Sequence, residues 1–180
     1  MTGTGIVASI GGALVMAAVS TLGDFIWANW IPRHRMIFGL THGTLLFLCM
    51  GVYLGATARR PAIGAIAGAL AGFIAAGSFY LLVPLIGYSV MFVVWIALWA
   101  AFGALYCWMQ TDRATVRDAF LRGAAAALSS GIAFYAISGI WRPFHPHGWD
   151  YAVHFLSWTV AFLPGFLALM LRRRSLPEAV

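Results

Sequence analysis

The sequence predicts an all-α, polytopic membrane protein of six transmembrane helices. Three observations carry that expectation. The 180 residues are 62% hydrophobic and only 9% charged, where a soluble domain carries roughly a quarter charged residues. The mean hydropathy is +0.89. The apolar residues fall in six continuous runs, each near the roughly 20 residues that cross a bilayer as a helix. Continuous rather than alternating runs disfavour a β-barrel. One bundle over residues 1–180, with no linker or second domain, is the expected organisation.

Span one covers about 5–30. It begins with small residues and ends GDFIWANW, where Trp27 and Trp30 fit an interfacial aromatic belt. It has no basic lead and is too long for a signal-peptide core, so it reads as a retained span. Span two, about 36–57, carries Gly39, Gly43, Gly51 and Gly55 at spacings of four, with His42 about two turns inside. Span three, about 62–82, carries the small-residue ridge Gly64, Gly68, Gly72 and Ala76. Pro84 and Gly87 are expected to form a turn. Span four, about 88–109, holds Trp95, Trp99 and Trp108. The polar stretch QTDRATVRD follows. Span five covers about 119–140, and span six about 149–171, with Pro164 inside it. The short loops predict that consecutive helices pack as antiparallel neighbours.

The chain has no lysine, which removes Schiff-base and lysine-nucleophile chemistry. Its net charge of +6 comes from arginines clustered at span ends, a pattern of membrane topology rather than of nucleic-acid binding. With the N-terminus cytoplasmic, Arg59, Arg60, Arg113, Arg117, Arg122 and Arg172 to Arg174 lie on the cytoplasmic side. Only Arg33, Arg35 and Arg142 lie opposite. Both termini are therefore expected in the cytoplasm. Cys49 and Cys107 fall inside spans and read as small buried hydrophobes.

This orientation gathers all five histidines, with Asp24 and Asp150, at the non-cytoplasmic side. Ionisable groups in a span are costly and usually find partners inside the bundle. Asp24 and His42 are the expected pair. Asp150 and His154 are four apart on span six, and His147 would join their face if the helix reached back to it. Two chemical readings follow. In one, Asp24, Trp27, His42, Arg142, Asp150 and His154 form the polar mouth of a cavity for a lipid. In the other, Asp24, His42, His147 and His154 hold zinc or haem and serve an enzyme, although no HExxH or CxxC is present. A small proton-coupled transporter using Asp24 or His42 is a third reading. The plain alternative is that these groups satisfy one another between packed helices. The expected partners are membrane lipid, not nucleic acid, and a second copy of the chain could dock through the glycine-rich faces. No catalytic residue is assigned.

HRMIFGLTHGTLLFLCMGVYLGATAR, TDRATVRDAFLRG and YAISGIWRPFHPHGWDYAVHFLSWTVAFLPG occur in this order. Together they resemble the second span, the fourth-to-fifth loop and the last two spans of the Insig family and its bacterial homologues. Ile31-Pro32-Arg33 stands where that family has Trp-Pro-Pro. The resemblance implies a non-enzymatic protein of the bacterial inner membrane, holding a sterol-like or diacylglycerol-like lipid between its spans. The enzyme-class rival, a ceramidase-like zinc hydrolase, has seven spans and a His-xxx-His pair in the last, where this chain has His154 alone.

Overall fold

A computed structural model describes residues 3–30, 35–110, 116–137 and 147–170. Among them are six α-helices and no strand: α1 Gly3–Trp30, α2 Arg35–Thr57, α3 Pro61–Ile86, α4 Val90–Met109, α5 Val116–Ile137 and α6 Asp150–Met170. Each is long and apolar enough to cross a membrane. The helices form a ring in chain order, and α6 returns to pack along α1. The chain crosses back and forth, so the starts of α1, α3 and α5 share one end of the bundle. We call that end proximal and the opposite end distal.

The exterior suits lipid. Val7, Leu81, Leu85, Phe120 and Ile132 are among the large apolar side chains left exposed. Trp149 and Trp30 are exposed at the distal end and Trp108 at the proximal end, where an aromatic belt would meet headgroups. The interior is filled with rings. Trp95, Trp99, Phe102, Phe134, Phe162 and Phe166 are all buried. Trp95 stacks on Phe134 at 4.5 Å and meets Phe162 at 5.2 Å.

Helix association in lipid gains nothing from excluding water, so close packing and interhelical hydrogen bonds must hold the spans. The two devices appear at different seams. Between α2 and α3, backbone lies on backbone. A side-chain carbon at Gly51 would strike the Gly64 carbonyl, and one at Gly68 would strike the Phe47 carbonyl. This explains the ridge. The α1–α6 seam uses polar contacts, beginning near the proximal end where Ser9 Oγ donates to the Phe166 carbonyl at 3.2 Å.

Three expectations need correction. Pro84 lies inside α3, which runs on to Ile86 and closes where the Gly87 N–H donates to Val83 O at 2.9 Å. The missing proline N–H costs α3 one backbone bond in its last turn without ending the helix. Second, α1 and α2 are consecutive but touch only lightly. Rings on α2 lie across glycines of α1: Tyr53 over Gly12 and His42 over Gly23. A ring thickness thus separates the two backbones, and α6 becomes the main partner of α1. Third, His147 lies outside α6, which begins at Asp150.

The α2–α3 turn holds Arg59 at φ 59°, a left-handed conformation. Arg60 N–H reaches Gly55 O at 2.7 Å and Arg59 N–H reaches Ala56 O at 3.1 Å. This is the double bond of a Schellman cap, whose left-handed residue is usually glycine. Arg59→Gly should stabilise the fold by about 1 kcal/mol, read by unfolding in mixed micelles. At the α2–α3 seam, Gly68→Leu should cost about 3 kcal/mol from overpacking. Gly77→Ala should be neutral or mildly stabilising, because its nearest neighbour is Leu40 Cδ2 at 3.9 Å. Equal effects at Gly68 and Gly77 would contradict backbone contact as the reason for the ridge.

Candidate functional site

Asp24 lies six residues before the end of α1, about 9 Å inside the distal end by helical rise. A carboxylate at that depth needs hydrogen-bond donors, and α6 supplies two. His154 Nδ1 lies 2.9 Å from Asp24 Oδ2. Trp158 Nε1 donates to the same oxygen at 2.8 Å. His154 and Trp158 are four residues apart, so one face of α6 presents both. An indole N–H can only donate, which makes Oδ2 the acceptor, and the imidazole completes the arrangement by donating from Nδ1. The His154 side chain is 5% exposed and that of Asp24 28%. One carboxylate oxygen therefore takes both donors on the buried side. Oδ1 has no hydrogen-bond partner among the described residues.

Neighbouring groups fix this clamp. Trp158 runs into the aromatic core, 5.9 Å from both Phe134 and Phe162. Trp95 Nε1 donates to Ser130 Oγ at 3.1 Å, and Ser130 Oγ donates to the Ala161 carbonyl at 2.5 Å. These bonds tie α4, α5 and α6 together behind Trp158. Toward the distal rim, Asn29 Nδ2 donates to the Tyr151 hydroxyl at 3.0 Å. Phe25 meets the Tyr151 ring edge-on at 5.4 Å.

His42 is beside Asp24 without being its partner. Its ring stacks on Phe38 at 5.6 Å and lies directly over Gly23, the residue before Asp24. Only a glycine leaves room for the imidazole there. The ring nitrogens of His42 have no hydrogen-bond partner among the described residues. Trp27 is half-buried and meets Phe38 edge-on at 5.1 Å.

Asp150 is used elsewhere. Its Oδ2 accepts from the His147 backbone N–H at 2.9 Å, one half of a capping box at the start of α6. The His147 residue is exposed. Arg142, His145 and His34 lie outside the described residues. Among the described residues no group of three His, Cys, Asp or Glu side chains is placed to hold a metal ion. Thus Asp24, His42 and His154 converge, while Asp150 and His147 serve the helix start.

Three participants escaped sequence reasoning. Trp158 stands four residues after His154, a spacing that could have suggested a second donor. Ser20 and Thr21 lie about one turn below Asp24 on α1, and their hydroxyls are buried with no hydrogen-bond partner among the described residues. Ser20 is fully buried.

The described residues also leave a shallow open groove of about 260 Å³ between α2 and α3, lined by Leu40, Thr41, Thr44, Leu45 and Phe73. Both threonine hydroxyls donate to carbonyls of their own helix, so the groove is effectively apolar.

No family model matches the chain, and no curated protein and no solved structure matches it either.

Asp24→Ala would leave the His154 and Trp158 donors buried and unpaired. It should destabilise the protein by about 2–3 kcal/mol. Trp158→Phe keeps an aromatic ring but removes the donor and the pyrrole half of the indole, and should cost about 1–2 kcal/mol, an interhelical bond in lipid plus a small cavity. Unfolding in mixed micelles measures both. An Asp24→Ala effect no larger than that of Trp158→Phe would mean that the carboxylate is not the joint acceptor.

Proposed function

We propose that the protein binds a membrane-resident amphiphile, a lipid, without catalysing a reaction on it, and that Asp24 receives the ligand's polar donor. One observation carries this reading. Asp24 spends a single oxygen on both donors of α6, and in this partly exposed carboxylate Oδ1 has no partner among the described residues. An acceptor held in place below the interface fits a hydroxyl or ammonium hydrogen. The Ser20 and Thr21 hydroxyls, buried without partners among the described residues, supply further polarity one turn deeper.

The aromatic filling of the bundle bears on where the apolar part of the ligand would lie. Rings occupy the space between the helices, so a tail fits better along the outer wall. The α1–α2 seam, where rings hold the backbones apart, is the natural path. This differs from the central cavity that the Insig resemblance implies, while keeping its non-enzymatic, lipid-binding character. The arginine excess at the proximal end supports placing that end in the cytoplasm, and a bacterial inner membrane follows only from the Insig resemblance. The Asp24 site would then open toward the non-cytoplasmic side.

The Asp24–His154 pair itself favours a second reading. A carboxylate and an imidazole 2.9 Å apart in a span can exchange a proton, as proton-coupled carriers require. That reading demands a pH-dependent flux that Asp24→Asn abolishes.

Native mass spectrometry of the purified protein in mild detergent, with elemental analysis and an absorption spectrum of the same sample, tests the proposal. We expect a retained lipid of defined mass. Losing one charge-assisted hydrogen bond in Asp24→Asn should cut retention about tenfold, and His42→Ala should cause a smaller loss. Stoichiometric metal or a haem Soret band would replace the lipid reading with a metal or haem site. Lipid retention unchanged in Asp24→Asn would remove Asp24 from the ligand's contacts.

A further inference from the structure

A second charged group, at the opposite end of the bundle, is not used by the Asp24 site. Arg122 lies five residues into the span that starts at Arg117, about 8 Å by helical rise. Its Nη1 is buried and has no hydrogen-bond partner among the described residues. The next residue, Gly123, lies against Gly103 of α4. The charge of Arg122 also acts on Cys107 of α4, which places the guanidinium toward the α4–α5 seam.

A guanidinium cannot relieve burial by losing its proton. A buried nitrogen without a partner among the described residues is a standing cost, and an anion that reaches it removes that cost. Its planar fork of N–H donors matches two oxygens of a phosphate better than it matches any single acceptor. The surroundings favour the arrival of such a group. Arg59, Arg60 and Arg117 are exposed at the same end, and basic clusters at a membrane surface concentrate anionic headgroups. Arg60 is fixed over the Trp108 ring at 6.0 Å.

We propose that Arg122 receives a phosphate group at the proximal end of the α4–α5 seam, carried by an anionic lipid headgroup or by free phosphate. The site is independent of Asp24 and of the lipid proposed there.

The test uses the full chain in a mild non-ionic detergent. Its apparent melting temperature is read with added phosphatidylglycerol, phosphatidylcholine or inorganic phosphate. Phosphatidylglycerol should raise the wild-type midpoint by several degrees and phosphatidylcholine should not. Arg122→Gln should lose at least half of that shift, whereas Arg117→Gln, at an exposed position, should keep it. A phosphate response equal to the lipid response identifies the free anion as the source; a lipid response alone identifies the headgroup. An unchanged shift in Arg122→Gln, an equal loss in Arg117→Gln, or no wild-type response to either phosphate source would overturn the proposal. Should Arg122→Gln fail to fold, Arg122→Lys decides the matter. It keeps the charge but not the fork, so a reduced shift supports the site and a wild-type shift contradicts it.

Discussion

A carboxylate inside a membrane span must be given donors, and in this protein that requirement is met by one oxygen of Asp24 taking hydrogen bonds from His154 and Trp158. The bond pair joins the first helix to the last and so closes the ring. It also orients α6. With His154 and Trp158 turned toward α1, the Trp158 ring enters the aromatic core against Phe134 and Phe162. A polar need at the distal end thus sets the register of the apolar packing beneath it.

The bundle combines two kinds of seam, each answering the weak driving force between helices in lipid. The α2–α3 pair relies on glycine, so its backbones touch along much of their length. The α1–α6 pair relies on hydrogen bonds at its two ends, with Ala13 and Ala17 buried between them. The α1–α2 pair has no such backbone contact. Tyr53 and His42 lie over α1 glycines and act as spacers, although Tyr53 also donates to the Ala8 carbonyl at 2.6 Å. The lightly packed α1–α2 seam thus adjoins Gly23, the residue before Asp24, whose Oδ1 has no hydrogen-bond partner among the described residues.

Much of this fold was legible in the sequence, because six apolar runs and a repeated glycine spacing report directly on spans and close contacts. Asp24, His42 and His154 were also legible as one group, since ionisable residues in spans are rare and topology sets their depth. The pairing was not. Asp24 and His42 sit on consecutive helices, which favoured them as partners, but partnership depends on the rotation of each helix about its axis. Adjacent residues of a helix point about 100° apart. Gly23 turns to α2 and accepts the flat His42 ring, and that same rotation turns Asp24 to α6. Pro84 misled for a different reason. A proline inside a helix removes one backbone bond without necessarily ending the helix, and α3 passes Pro84 by about half a turn. Asp150, conspicuous as an acid, is explained by the start of α6 rather than by the site.

The most direct test of the account is an experimental structure of the protein purified from its own membrane with lipids retained, examined at Asp24. The account predicts Oδ2 between His154 and Trp158, and a ligand hydroxyl or ammonium within about 3 Å of Oδ1. Finding Oδ1 bonded to another protein side chain, or occupied by a metal ion shared with His42, would contradict it.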